Sequence, residues 1–163
     1  MKRPLRSIAV LLFLLILQVG FAHGQQLTVE PEAGKKVVFQ YADIAALPHV
    51  KVTVASTTYE GIDLRAVLEK AGVEFGQTLR GKRLASCLLA EAVDGNQVVI
   101  ALPELHPAFT DKQIALVFLK DGKPLDDNEG SYRIVIPSEK RMARWVRQVK
   151  ALKIVNMFSP FES

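Results

Sequence analysis

Residues 131–155 read SYRIVIPSEKRMARWVRQVKALKIV. Both ends are apolar runs of strand type, Tyr132–Ile136 and Val149–Val155. Pro137 lacks the backbone N–H that a strand ladder needs, so the first run stops there. Between the runs lie Lys140, Arg141, Arg144, Arg147 and Lys150, together with the chain's only tryptophan, Trp145. Arg141, Arg144 and Arg147 stand three positions apart. On a helical turn they share a broad face, and in an extended segment they do not. The stretch therefore predicts two strands joined by a cationic excursion, and the rest of the chain decides whether such a layout is general.

Outward from this stretch the pattern stays mostly of strand type. Residues 27–30 and 36–39 flank a turn at PEAGK and predict a first hairpin. YADIAALP is a short helix ended by Pro48. Val50, Val52 and Val54 alternate with Lys51 and Thr53, as in a strand with one buried face. The clearest helix starts at Asp63, a capping residue, and carries Leu64, Val67, Leu68 and Ala71 on one face. Gly72 suits its left-handed stop. Two strands surround Asp94-Gly95, IALVFL reads as a strand buried on both faces, and Asp121-Gly122 turns the chain again. The sum is a β-rich α+β domain of mixed sheets, with about eight strands and two or three short helices.

Residues 1–24 lie outside this pattern. Lys2, Arg3 and Arg6 precede an apolar run over Ile8–Val19, and small residues follow at Gly20, Ala22 and Gly24. This is the layout of a signal peptide cleaved after Ala22 or Gly24, with residues 25–163 as a single exported domain in the periplasm or outside the cell. No stable membrane insertion is expected after cleavage. The leader holds three of the 21 Lys and Arg and none of the 17 Asp and Glu, so 18 cations face 17 anions in the remainder, a net charge of +1. That balance excludes a general nucleic-acid binder. A lone Cys87 excludes an intrachain disulfide.

Few residues suit covalent or metal chemistry. His49, His106 and Cys87 have no metal-ligand spacing, so no zinc or haem site is expected. Cys87 shares a strand face with Ala85 and Leu89, as a buried, inert thiol does. Nucleophile-elbow, phosphate-loop and dinucleotide motifs are absent from the sequence, and no catalytic residue is assigned. The cationic excursion remains. Arginine forks suit phosphate or carboxylate, and Trp145 offers a plate for a planar ring. The competing reading is a solvated basic flank with Trp145 in the core.

Three segments in order resemble the molybdopterin-binding domain of the sulfite oxidase fold. They are TTYEGIDLRAVLEKAGV over residues 57–73, GKPL over 122–125, and GSYRIVIPSEKRMARWVRQVKALKIV over 130–155. The shared features are an aromatic-x-Gly-x-x-Leu helix entry (Tyr59, Gly61, Leu64), the Gly-Lys-Pro-Leu turn, and a Val-x-Pro strand end at Val135 and Pro137. The resemblance implies a pterin-dithiolene molybdenum cofactor carrying a phosphate, as in sulfite oxidases and envelope methionine-sulfoxide reductases. Carried over, Ser138, Lys140, Arg141 and Arg144 meet the anionic cofactor, Trp145 walls the pocket and Tyr59 lines the same cleft. Catalytic members of the family ligate molybdenum through a cysteine on the segment matching residues 50–57. Here that segment reads VKVTVAST and has none. The expectation is an exported binding or accessory protein related to molybdenum oxidoreductases, which either binds a molybdopterin-type cofactor without the usual cysteine or has kept the fold and lost the metal, with an envelope redox protein as partner and a molybdopterin-dependent oxidoreductase as a lesser reading. The alternative is a cofactor-free protein-recognition module of the cell envelope.

Overall fold

The two apolar runs of the opening stretch end up in different sheets, which positions everything between them. In the computed structural model, which describes residues 26–157, β1 (Leu27–Glu30), β2 (Val37–Phe39), β5 (Ser86–Ala92), β6 (Gln97–Ala101) and β10 (Val149–Asn156) form one sheet in the order β2-β1-β10-β5-β6. The second sheet holds β3 (His49–Val54), β4 (Thr57–Asp63), β7 (Ala115–Lys120) and β8 (Lys123–Pro124) in that order, with β9 (Arg133–Val135) also paired to β7. The leader expected over residues 1–24 lies outside the described residues. Two short helices, α1 (Tyr41–Ala45) and α2 (Leu64–Lys70), complete the regular structure apart from 3-10 turns. The architecture is β-rich α+β, as the sequence predicts.

Local chemistry explains the elements. Leu27 and Val29 are buried while Thr28 and Glu30 are less so, the period-two pattern of a strand with one covered face. Asp63 accepts from the Arg65 amide at 2.9 Å and caps α2, whose Leu64, Val67 and Leu68 face the core. Gly72 ends that helix with φ of +93°. Among the described residues the terminal strands β1 and β10 form the one parallel pair, and every other ladder is antiparallel. Apolar faces from both sheets merge into one core that includes Leu27, Ile62, Leu88, Ile100, Leu116 and Leu152.

The strand count exceeds the expected one by β4 and the two-residue β8. Strand β4 is central to its sheet, lying between β3 and β7. Its register against β7 shifts between Glu60 and Gly61. A Cβ at Gly61 would lie 2.1 Å from the Leu116 carbonyl oxygen and 2.4 Å from Val117 Cα. Glycine therefore lets the two backbones approach at the bulge, which gives the aromatic-x-Gly motif a steric cause.

Candidate functional site

The cationic excursion is a loop stitched shut at its base. The Ile134 amide donates to Val146 O at 2.8 Å, and the Val149 amide donates to Tyr132 O at 3.0 Å. These bonds bring the chain back alongside β9 before it enters β10. Its middle forms only a single 3-10 turn, Met142–Arg144, preceded by extended Arg141. One short turn cannot align residues six apart, so the three arginines do not form a common face.

Each goes to a different environment. Arg144 turns inward to carboxylates. Its Nε donates to Glu139 Oε1 at 2.7 Å, and its Nη atoms reach Glu104 at 3.3 and 3.2 Å, Glu139, and Val99 O at 3.2 Å. Lys112 adds a bond to Glu104 at 2.9 Å. Burial opposes ionisation of Glu104, but the hydrogen bonds from Arg144 and Lys112 prevail and hold its carboxyl down at about 2. Arg144 thus ties the loop to β6 and the 3-10 turn Leu102–Leu105, its guanidinium occupied by these carboxylates and the Val99 carbonyl. Arg141 and Arg147 are exposed, as are Lys140 and Ser138. Among the described residues no carboxylate lies within ion-pair distance of Lys140, Arg141 or Arg147.

Trp145 is buried, and its indole Nε1 donates to Ile136 O at 3.2 Å. Its ring meets Tyr59 edge-on, with centroids 6.2 Å apart. Into this aromatic corner comes Arg133, which the sequence reading did not single out. Its guanidinium carbon lies 5.6 Å from the Tyr59 ring centre and 5.4 Å from that of Trp145. Glu129, only 4% exposed, pairs with Arg133 and with Lys120, the latter at 3.4 Å. The Arg133 Nε is buried without a partner. Two aromatic faces and one carboxylate therefore hold this cation, each ring contact contributing roughly 0.5–2 kcal/mol.

Beside this corner opens a hollow of about 390 Å³. Arg133, Trp145 and Arg147 line one side, with Met142 and Val146; the β5–β6 hairpin contributes Asp94, Asn96 and Gln97. Of the six residues expected at the site, Trp145 lines this hollow. Tyr59 stands behind Trp145, Arg144 is engaged elsewhere, and Ser138, Lys140 and Arg141 lie on the exposed loop outside the lining. The position of Arg133 carried one legible signal: a cation at the start of an apolar strand, four residues after an acid.

The fold is similar to that in the crystal structure of the sulfane dehydrogenase SoxCD from Paracoccus pantotrophus. The TM-score is 0.65 at 19% sequence identity, over 80% of this chain and 38% of that one. No protein-family model matches the sequence, and no curated protein matches it. The likeness is one of fold.

The donor set can be tested against a molybdenum cofactor. The β3–β4 hairpin, where the resemblance expects a thiolate, presents the hydroxyls of Ser56, Thr57 and Thr58. Cys87 sits on β5 in the other sheet, and burial pushes its thiol pKa up. Molybdenum bound to dithiolene favours a soft, ionised sulfur, which neither place supplies. No group of His, Cys, Asp and Glu suited to a metal ion occurs among the described residues. The metal does not fit these residues. The lining of the hollow combines exposed Arg147, which has no ion pair among the described residues, with part of the buried Trp145 and the carboxylate of Asp94.

Proposed function

We propose that this chain is an exported binding or accessory domain of the sulfite oxidase fold. It takes an anionic, pterin-type ligand at the hollow beside Arg133, Trp145 and Arg147, without molybdenum redox chemistry of its own. The observation that carries the reading is the arrangement of cations around one cavity whose lining includes part of Trp145. Arg133 is fixed by two rings and Glu129, and Arg147 is left without a carboxylate. The fold is shared with a sulfane dehydrogenase, and the ligand class rests on the sequence resemblance together with the cations at the hollow.

In this reading Arg147 supplies charge at the cavity, and Lys140 and Arg141 draw an anion towards it from the exposed loop. Trp145 contributes a small apolar patch to the lining. Arg133 polarises the wall while Glu129 keeps it in place. The β5–β6 hairpin supplies amide and carboxylate groups for the ligand's N–H donors.

The test uses the full chain, produced with its leader in a bacterium making abundant cofactor and recovered from the periplasm. Stoichiometric pterin fluorescence with little molybdenum is the expected result. Recovery from the cytoplasm alone overturns export. A blank for both pterin and molybdenum overturns the ligand. Stoichiometric molybdenum overturns the claim that the metal does not fit.

A second reading has one observation in its favour. Met142 is 58% exposed and stands beside Arg141 on the same loop. Apolar and arginine side chains together are common at protein interfaces, so a cofactor-free module docking on an envelope protein is the rival. Binding to an acidic envelope protein that survives Trp145→Ala but not Met142→Asp favours it.

A further inference from the structure

Helix α1 is a strap between the sheets. It leaves β2 at the edge of the first sheet and enters β3 at the edge of the second. It has five residues: Ile44 is buried, and Tyr41 packs on the rings of Phe118 and Tyr132 with centroids 5.5 and 6.1 Å away. His49, the first residue of β3, reaches back to it. The ring Nε2 lies 2.9 Å from the carbonyl oxygen of Ala45, at the end of α1. The ring Nδ1 lies 2.8 Å from Glu60 Oε1 on β4. The ring also packs edge-on against Phe118 of β7, with centroids 5.3 Å apart.

The chemistry of the two partners fixes the protonation. A carbonyl oxygen only accepts, so Nε2 must carry a hydrogen. The Glu60 carboxylate also accepts from Lys51, at 3.3 Å, and is in its ionised form, so Nδ1 must carry one too. A neutral imidazole has one N–H and can satisfy only one of these partners. Both bonds together exist only in the imidazolium.

We propose that His49 is a proton-operated latch that fastens the α1 strap to the second sheet and releases it when the ring loses its proton. The groups around the ring agree. Glu60 and the Ala45 carbonyl favour the charged ring, Lys51 opposes it, and Phe118 brings no charge. Asp43, the acid on α1, is turned to the Gln40 amide at 2.8 Å. Hydrogen bonds that the ring donates to Glu60 and to the Ala45 carbonyl raise its pKa above the ordinary 6.5. The latch is therefore complete below the ordinary histidine range and is lost as pH rises through the raised value. The strap's Tyr41 stacks on buried Tyr132, the neighbour of Arg133, so the device lies close to the cationic corner.

Solution NMR on the full chain tests the latch. At about pH 5.5 both ring nitrogens of His49 should show protonated shifts. The amides of Ala46 and Leu47, which donate to Ala42 and Ile44, report strap closure. After correction for intrinsic exchange, their protection should fall by roughly threefold or more between about pH 5.5 and about pH 8.5, while that of Val149 stays level. His49→Gln should remove the pH dependence, and Glu60→Gln should move its midpoint down. A neutral ring at about pH 5.5, level protection across the range in the unaltered chain, or a full drop retained in His49→Gln overturns the proposal. Should either variant not fold, the ring titration and exchange of the unaltered chain decide the matter alone.

Discussion

Arg133 and Arg147 border the same hollow, yet they belong to different regions of the molecule. Arg133 sits on β9, a strand paired to β7 in the second sheet, with Glu129 and two rings around it. Arg147 sits on the returning arm of the loop, exposed and without a carboxylate. Arg144, three residues earlier, belongs with Arg133 by its environment although it belongs with Arg147 by sequence. What separates structural from available cations is compensation, not spacing. A guanidinium that meets carboxylates holds the fold together, and one that meets none remains free for a ligand.

The sharpest way to break this contrast is to remove Arg133. Arg133→Ala leaves Glu129 buried with Lys120 alone, and losing one partner of a buried pair costs about 3–5 kcal/mol. Urea denaturation should show a matching fall in midpoint. Replacing both Arg133 and Glu129 by leucine should restore most of the loss, because no charge is then stranded. Equal stability of Arg133→Ala and the unaltered chain would move Arg133 into the available class.

Next comes Arg144. Arg144→Ala leaves Glu104 and Glu139 without their shared cation, and about 1–3 kcal/mol should be lost. Lys112 still neutralises part of Glu104, which is why the effect is smaller than at Arg133. If stability holds and anion binding disappears instead, Arg144 belongs with Arg147 after all.

Acid offers a subtler probe of the same network. Glu104 is held at about 2 against an ordinary 4.5. A depressed carboxyl contributes stability that is fully present above its unfolded value and lost as pH falls through the folded one. Stability should therefore decline between pH 4.5 and about 2, and Glu104→Gln should flatten part of that slope. An unchanged acid limb in the variant would show that the Arg144 network does not hold the loop.

Much of this was legible in the residues, and the misses have physical causes. The β5–β6 hairpin announces itself through Asp94-Gly95, and α2 through its Asp63 cap and apolar face. Strand β4 was hidden because Gly61 and its bulge interrupt the alternation on which strand reading depends. Trp145 and Tyr59 were named, and they do meet. Arg133 was missed because Tyr59 and Trp145 lie on either side of it in sequence and converge only in the fold. The carboxylate partners of Arg144 were hidden because Glu104, forty residues away, is brought to it only by the fold.

The smallest stability effect should come from the free cations. Arg141→Ala with Arg147→Ala should change stability by no more than about 0.5 kcal/mol, since neither residue has a carboxylate to strand. Affinity for inorganic pyrophosphate, measured by calorimetry at low salt, should fall by about tenfold, the order expected when exposed charges steer and hold an anion. The same affinity in the unaltered chain should weaken as salt rises, because exposed charges are screened where buried pairs are not. The double variant and Arg144→Ala thus differ in opposite senses, one losing ligand and keeping its fold, the other losing stability. If both variants lose stability to the same degree, compensation is not what divides these arginines, and the free-cation account of the hollow fails with it.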